Sequence, residues 1–464
     1  MITNVLPQTR QLNVKSRGGY FMRSIPLIIM VLGIFVVKNS LYAKTDSFLE
    51  SFNLLKTVAG KGGNGNENEW DEKYEGKPAI DAVLSRPHFT MADSAGNIYI
   101  ADKNAHAIRK VDVSGIISTV AGTNEAGDGG DGLAVEQQLN SPNGLWVNRK
   151  GEFYILDLGN NKIRKVDSKG NMVTLFKDDE GISLGRGLWL NDTEDTVWYS
   201  SGSRVKIWTE NTGIGTYADG FGALGNIVQD HSGYVVATDR SANLVYRINN
   251  DGTKTVIAGN GKNSGGGAGL SALETAFYGV RGIWFVDKES YLLATHEGSR
   301  VWYIDNNGLV HLFLDGREGD EYHSGDGMHY RTEGYKVSEV RAVSIDYQGN
   351  VLVTENDRGY IRKVEKNANF IADKKLKHCF SPVKFKVNTV CGFSRMTFYH
   401  SDNSQKTVGF FNQLGRKVQI PVNYKVIDGI HEVWWNNRNI PCGAYFINIQ
   451  DNGKNYYENM IKTR

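Results

Sequence analysis

A short repeated pattern constrains the fold of this sequence more than any other feature. Each copy has a turn with glycine and then an apolar, β-favouring stretch that ends in an acid, at residues 95–102, 150–157 and 348–355. The sequence Ile-Arg-Lys-Val follows each of these stretches after a short polar loop. Weaker copies lie at residues 197–201, 234–239 and 292–296. Self-similarity of this kind predicts a repeat architecture.

Six copies with about four short strands each favour sheets arranged as blades around an axis, because a four-stranded sheet cannot bury both faces alone. The last copy, at residues 340–364, has only three strands. Residues 57–60 repeat the Thr-Val-Ala-Gly that follows the third strand of the first copy, at residues 119–122. We therefore predict an all-β fold in which residues 44–370 form a six-bladed β-propeller. The N-terminal strand completes its last blade, so that the ring has no free edge.

The amino-acid composition supports packed β-structure and argues against nucleic-acid binding. The 464 residues include 53 glycines and 8 prolines, and 11% are aromatic, which favours tight turns between packed strands. Lysine and arginine number 53 against 51 aspartates and glutamates, a formal net charge of +2. A dedicated nucleic-acid binder usually has a clear basic excess, so no nucleic-acid partner is expected.

Residues 119–132, 139–144 and 160–166 together resemble a bacterial NHL repeat. The resemblance covers roughly residues 54–367 and is strongest in the first, second and last copies. It implies a six-bladed propeller, a fold whose members bind ligands or RNA, act as sensors or, in a few cases, are lyases or lactonases. Because one fold serves so many activities, the resemblance predicts the fold more firmly than the function.

The N-terminal segment predicts export. Basic residues precede an apolar run at residues 25–37, and the small residue Ala43 follows shortly afterwards. This order is typical of a signal peptide, and the run is shorter than the roughly 20 apolar residues of a transmembrane helix. We predict a signal peptide over residues 1–43, with Met22 as an alternative start, and no transmembrane anchor after cleavage. An uncleaved anchor is the alternative.

A linker at residues 371–379 precedes a different pattern, the short alternating strands of a small Ig-like β-sandwich at residues 380–464. Residues 429–436 and 440–447 flank a Pro-x-Gly turn, which predicts a β-hairpin. Three cysteines allow one disulfide in an oxidising compartment, and their pairing stays open. They are Cys379, Cys391 and Cys442.

Together with residues 411–418, these strands resemble the C-terminal sorting domain of type IX secretion substrates, and Ig-like modules of flagellar hook caps share the pattern. The resemblance implies that residues 380–464 engage a secretion machinery. The protein would then be secreted or held on the outer surface of a Gram-negative bacterium. The alternative is an Ig-like domain that only packs on the propeller.

Aligning the copies gives two rings of side chains that we expect near the central mouth of the propeller. The residues that enter the first strand of each copy are His88, Asn143, Arg186, Arg281 and Arg341, with Gly225 in the fourth. Those that close the second strand are Asp102, Asp157, Asp239, His296 and Glu355, with Ser201 in the third. The arginines predict binding of an anionic small molecule, glycan or protein, because a guanidinium is a permanent planar donor for carboxylate or phosphate. Alternatively, the arginines pair with neighbouring acids, and the acids accept hydrogen bonds from the next loop.

A metal-dependent hydrolase or lyase is the second functional reading. Propeller lactonases, which this fold resembles, hold a cation at the axis with acids and amides, and related amidating lyases use histidines. Four residues could supply ligands to a divalent cation such as Ca²⁺: Asn143, Asp239, His296 and Glu355. None of them shares a diagnostic spacing, so we predict no cofactor and favour ligand binding over catalysis. A purely structural surface protein is a third class.

Overall fold

The computed structural model describes residues 47–64, 67–317 and 323–367, together with most strands of the C-terminal region. The C-terminal stretches are residues 386–390, 393–399, 407–412, 416–427, 430–436, 443–451 and 454–462. The predicted signal peptide, the predicted linker and the three cysteines lie outside the described residues.

Six antiparallel sheets form the blades of a propeller, which confirms the predicted fold class. Blades 1 and 2 contain β2 (Lys77–Pro78), β3 (Pro87–Ala92), β4 (Ile98–Asp102), β5 (Ala107–Val111) and β6 (Ile116–Ala121), then β7 (Gly132–Leu133), β8 (Pro142–Val147), β9 (Phe153–Asp157), β10 (Lys162–Val166) and β11 (Asn171–Lys177). Blades 3 and 4 contain β12 (Leu188–Leu190), β13 (Thr196–Ser201), β14 (Arg204–Thr209) and β15 (Gly213–Ala218), then β16 (Leu224–Gln229), β17 (Val235–Asp239), β18 (Leu244–Ile248) and β19 (Lys254–Ala258). Blades 5 and 6 contain β20 (Val280–Phe285), β21 (Tyr291–Thr295), β22 (Arg300–Ile304) and β23 (Val310–Leu314), then β24 (Val340–Ile345), β25 (Val351–Glu355), β26 (Tyr360–Lys366) and β1 (Phe52–Ala59).

The helices among the described residues are single 3-10 turns. They span Leu49–Ser51, Glu72–Tyr74, Ala79–Asp81, Lys103–Ala105, Ala134–Glu136 and Leu158–Asn160. Within the described ranges, no helix has the length and apolarity needed to cross a bilayer.

The turns between strands are fixed by aspartates that accept two backbone hydrogen bonds. In blade 6, Asp346 Oδ1 accepts from the N–H groups of Gln348 (2.9 Å) and Asn350 (2.8 Å). Gly349 lies between them with a left-handed φ of 84°, which glycine adopts at no steric cost. Aspartates form the same contact in blades 1, 2, 4 and 5, at Asp93, Asp112, Asp167, Asp230 and Asp305, and Asn191 accepts the corresponding bonds in blade 3. These turns explain why glycine and acidic residues recur in each copy.

The N-terminal strand closes the ring, as predicted. β1 pairs antiparallel with β26, with Leu55 opposite Val364 and Thr57 opposite Arg362. Leu55 is fully buried in the core that blade 6 shares with blade 5. Phe52 makes an edge-to-face contact with Phe313 of blade 5, at 5.3 Å between ring centroids. The strand is therefore held by backbone pairing and by apolar burial.

The innermost strand of each blade contacts the innermost strands of its neighbours around the axis. Trp189 on β12 and Trp284 on β20 come from blades 3 and 5, which are not adjacent. Their rings nevertheless meet at 5.6 Å between centroids, in an edge-to-face arrangement. The two tryptophans therefore fill part of the central channel, so the propeller is not an open tube.

The C-terminal region forms two four-stranded sheets that face each other. One sheet contains β27 (Lys386–Val390), β28 (Phe393–Tyr399), β32 (Ile430–Asn436) and β31 (Val422–Ile427). The other contains β30 (Lys417–Val418), β29 (Thr407–Asn412), β33 (Gly443–Asp451) and β34 (Lys454–Lys462). Trp435 and Phe410, one from each sheet, are buried with their rings 5.0 Å apart. This packing is that of a small β-sandwich.

The predicted hairpin around Pro441 is wrong. β32 pairs with β28 and β31, whereas β33 pairs with β29 and β34, so the chain crosses from one sheet to the other between them. Alternating apolar strands on either side of a turn are equally compatible with a hairpin and with such a crossing, because both place one face on the core.

Candidate anion-binding site

The six residues aligned at the entrance of the first strands converge on one pit at the propeller axis. The pit is lined by His88, Phe89, Asn143, Arg186, Gly225, Asn226, Arg281 and Arg341. Its volume, counted as space for the centre of a water-sized molecule, is about 20 Å³. A pit of this size holds a water or the head of a small anion but not a sugar ring.

A repeated backbone kink leads the chain into the pit. In five blades, the residue two positions before the lining residue has a left-handed conformation, which only glycine adopts freely. These residues are Arg86, Ser141, Leu184, Gly279 and Glu339. In the fourth blade Gly225 carries no side chain for a packing reason, since a Cβ there would lie 2.6 Å from Arg281 O and would also clash with Thr238 Oγ1.

On the uncharged side of the pit, the side chains of His88 and Asn143 contact each other and the backbone. His88 Nδ1 is in contact with Asn143 Oδ1, and Asn143 Nδ2 donates to Gly185 O at 2.5 Å. Burial and the nearby charge of Arg341 lower the pKa of His88 well below its usual value, so the imidazole is neutral. His88 and Asn143 are thus already engaged with protein atoms.

The arginines, in contrast, are left with free donors inside the protein. Arg186 Nε, Arg281 Nε, Arg281 Nη1 and Arg341 Nε are buried and have no hydrogen-bond partner within the described part of the chain. Arg281 is 5% exposed, and among the described residues its one acidic contact is Glu297 Oε1 at 3.4 Å from Nη2. Buried N–H groups without acceptors are energetically costly, and those on charged groups are the most costly.

The arginines also repel one another. Burial lowers the pKa of Arg341 well below its ordinary value, and the charges of Arg281 and Arg186 lower it further. Burial likewise lowers the pKa of Arg281, and Glu297 only partly opposes this effect. An anion in the pit would relieve both the repulsion and the missing hydrogen bonds.

The acids of the second ring lie outside the lining of the pit, where they hold the backbone. Asp102, Asp157, Asp239 and Glu355 are at most 2% exposed. Each accepts a backbone N–H from the loop before the innermost strand: Ser85 to Asp102 (2.6 Å), Asn140 to Asp157 (2.8 Å), Gly222 to Asp239 (2.7 Å) and Ser338 to Glu355 (3.1 Å). Ser201 Oγ plays a related part by accepting from Ser183 N–H.

His296 of the second ring instead joins a group that we call the acidic corner, formed by His296, Glu297, Glu339 and Asp357. His296 Nε2 lies 3.2 Å from Glu339 Oε2, and His296 Nδ1 lies 3.6 Å from Glu297 Oε2. These separations permit ion pairing, but neither contact has the alignment of a hydrogen bond. Ligand atoms of His296, Glu339 and Asp357 all lie within 4.8 Å of one another. Imidazole and carboxylate are suitable ligands for a divalent cation, so this group fits one better than Asp239 and Glu355 do.

Sequence reasoning missed six charged residues around the mouth. They are Arg86, Lys103, Arg240, Glu297, Glu339 and Asp357. Each lies two positions before a first-strand residue of the alignment or one or two positions after a second-strand residue. Extending the same alignment by two positions on either side would have found them.

The fold and the pit define the class of this chain, a six-bladed β-propeller with a cationic pit at its axis. No protein family model matches the sequence. It is 28% identical to human teneurin-4 over 233 residues, which cover 46% of this chain and 8% of teneurin-4. It is 31% identical to human NHL repeat-containing protein 2 over 112 residues, 23% of this chain and 15% of that protein. The chain thus spans a small fraction of the curated relatives it matches, and the latter similarity agrees with NHL-like repeats.

Among solved structures, an auxiliary nutrient binding protein from Bacteroides ovatus superposes with a TM-score of 0.52. The two chains share 14% identity, and the superposition covers 68% of this chain and 77% of the other. At this identity the superposition supports the propeller fold alone.

Proposed function

We propose that this protein binds an anionic ligand through the axial pit, with Arg186, Arg281 and Arg341 as the contacting residues. The observation that carries the proposal is the set of four buried guanidinium N–H atoms without an acceptor. Structural arginines such as Arg109 and Arg362 also bury one N–H without an acceptor, but each of them is paired with a buried acid. Arg164, for example, donates to Asp157 and to Gly129 O. Arg186 and Arg341, in contrast, make no ion pair with an acid within the described residues, so their buried N–H groups remain available to an anionic ligand.

The size of the pit limits what enters it. About 20 Å³ accommodates a single acidic head group, so the rest of the ligand lies in the mouth above. This arrangement suits an anionic small molecule, or the acidic end of a glycan or protein. His88, Asn143 and Gly225 shape the pit, while the acids Asp102, Asp157, Asp239 and Glu355 keep its walls in place.

Isothermal titration calorimetry with propionate and with sulfate tests the proposal. Arg281→Gln and Arg341→Gln should each weaken binding tenfold or more, because a hydrogen bond to a charged group contributes about 1.5–3 kcal/mol. The matched control is Arg149→Gln, an exposed arginine in the turn at the far end of blade 2. This substitution should leave both affinities unchanged.

Stability of the ligand-free protein separates binding from a structural role. If the pit arginines repel one another, Arg341→Gln should keep or raise the melting temperature, since functional sites are often held at the expense of stability. Unchanged anion binding together with a lowered melting temperature would instead show that the arginines tie the blades together.

We further propose that the protein acts outside the cytoplasm, exported by residues 1–43 and delivered by residues 380–464 to the cell surface or the medium. The signal-peptide pattern and the resemblance to a type IX sorting domain support this. The solved neighbour from Bacteroides ovatus is described as nutrient binding, a role compatible with a surface propeller that takes up a ligand. Expressing the chain without residues 380–464 in a bacterium that has this secretion system should abolish surface delivery, and normal delivery would refute the sorting role.

A metal-dependent hydrolase or lyase is the second candidate, favoured by the clustered ligand atoms of His296, Glu339 and Asp357. These residues would hold a divalent cation, which supplies Lewis-acid chemistry when bound. Metal analysis of the purified protein tests this reading: one equivalent of metal that is lost in His296→Ala would support it, and a metal-free protein would refute it.

A further inference from the structure

We propose that the ligand is of the amino-acid type, with its carboxylate in the arginine pit and its ammonium on Glu297 and Glu339 of the acidic corner. This inference rests on the proposed anion site and adds the second charge that the ligand carries.

The acidic corner borders the pit. Arg281 Nη2 lies 3.4 Å from Glu297 Oε1, so a pit arginine and a corner acid are in direct contact. Glu339 precedes the pit residue Arg341 by two positions, at the left-handed kink before β24. The contact with His296 is the main cause that lowers the pKa of Glu339, and the charges of Arg341 and Arg281 lower it further, which also places the corner beside the pit. One small molecule can therefore reach both.

The corner contains acceptors that need a donor. Glu297 Oε2 and Glu339 Oε2 are buried, and each lies near a ring nitrogen of His296, at 3.6 Å and 3.2 Å, without the alignment of a hydrogen bond. Because these two contacts use both nitrogens of His296, which is 9% exposed, the imidazole leaves the two carboxylates without a well-aligned donor. An ammonium group offers three donors that can be directed at separate acceptors. The pit needs acceptors and the corner needs donors, and an α-amino acid supplies both from one carbon atom.

Net charge alone predicts the opposite preference. The described residues around the mouth include six cations, Arg86, Lys103, Arg186, Arg240, Arg281 and Arg341, against three acids, Glu297, Glu339 and Asp357. A mouth that acted only through this excess would hold a plain carboxylate more tightly than a zwitterion. Alanine and propionate, which differ by one ammonium group, therefore distinguish recognition of the ammonium from simple charge attraction.

The test is calorimetric titration of the mature full-length chain, treated with a chelator, with alanine and with propionate. We expect alanine to bind about tenfold more tightly, since charge-assisted hydrogen bonds have this magnitude. Glu339→Gln should weaken the binding of alanine about tenfold. It should leave the affinity for propionate unchanged or raise it, because the substitution removes a negative charge near the bound carboxylate. Glu289→Gln, an exposed acid in the turn at the far end of blade 5, is the matched control.

Propionate binding as tight as alanine binding, or alanine binding that appears only after metal is added, would overturn the inference. If propionate still depends on Arg341 in that case, the anion site stands and only the ammonium contact fails. If neither compound binds, the proposed function fails as well.

Discussion

Arg109 Nε lies 3.2 Å from Asp102 Oδ2 inside blade 1, and neither side chain is exposed to solvent. The same pairing occurs in blade 2 between Arg164 and Asp157, and in blade 6 between Arg362 and Glu355. In each case the arginine of the Ile-Arg-Lys-Val sequence on the third strand reaches the acid that ends the second strand. Blades 1, 2 and 6 thus share a buried ion pair that links the second and third strands, and its acid also holds the loop before the first strand.

Breaking this pair in blade 1 should destabilise the propeller strongly. Burial raises the pKa of Asp102 and lowers the pKa of Arg109, because it disfavours both charges. Asp102→Leu leaves a buried guanidinium unpaired, and we expect a loss of about 3–5 kcal/mol in the free energy of unfolding. Urea denaturation measures it.

The double substitution Asp102→Leu/Arg109→Leu should recover about 2 kcal/mol relative to Asp102→Leu alone, since it removes both charges from the interior. Full recovery is not expected, because Ser85 N–H loses its acceptor. Strictly additive losses would show that the two side chains do not depend on each other.

Closure of the ring depends on the burial of Leu55. Leu55→Ala removes a fully buried side chain from the core between blades 5 and 6 and should reduce the free energy of unfolding by about 3 kcal/mol. Asn53→Ala, at an exposed position of the same strand, is the control and should have little effect. Equal small effects at both positions would contradict the pairing of β1 with blade 6.

The shape of the pit depends on Gly225. Gly225→Ala should lower the free energy of unfolding by about 1–3 kcal/mol, because the added methyl group would overlap Arg281 O. It should also weaken propionate binding, because the backbone that carries the Arg281 side chain must move. Gly215→Ala has ordinary space around its Cβ and serves as the control for thermal unfolding and calorimetry.

Asp305 should make the stability of blade 5 depend on pH. Burial alone would raise the pKa of Asp305, but hydrogen bonds from His311 and from the N–H groups of Leu309 and Asn307 lower it. A carboxylate whose pKa is lowered in the folded state stabilises the protein at pH values above its ordinary pKa of about 4. This contribution disappears as the pH falls through the lowered pKa of the folded state.

Asp305→Asn should therefore lower the free energy of unfolding by about 1 kcal/mol at pH 7. The difference in this free energy between the variant and the wild type should shrink as the pH falls below about 4. Urea denaturation at several pH values measures both. A difference that stays constant down to pH 2.5 would contradict this role.

Much of the propeller could be predicted because its repeat is marked by local chemistry. Contacts within one blade produce each of the patterns that identified the repeat. These patterns are the Ile-Arg-Lys-Val strands, the glycine turns and the Thr-Val-Ala-Gly of β1. The same alignment predicted that His88, Asn143, Arg186, Arg281 and Arg341 would meet.

The rest depends on contacts between distant segments. The position of Glu297 gives Arg281 its one weak acidic partner among the described residues. The acidic corner forms because blades 5 and 6 bring His296 beside Glu339 and Asp357. The crossing between β32 and β33 likewise could not be read from alternating apolar residues, because a hairpin requires the same pattern.

The most direct measurement is an anomalous diffraction map of crystals soaked in bromide, a single-atom anion suited to a pit of this volume. We predict a bromide peak within hydrogen-bond distance of the buried N–H groups of Arg186, Arg281 and Arg341, and we expect Arg341→Gln to abolish it. Bromide at other surface sites with none in the pit would contradict this prediction.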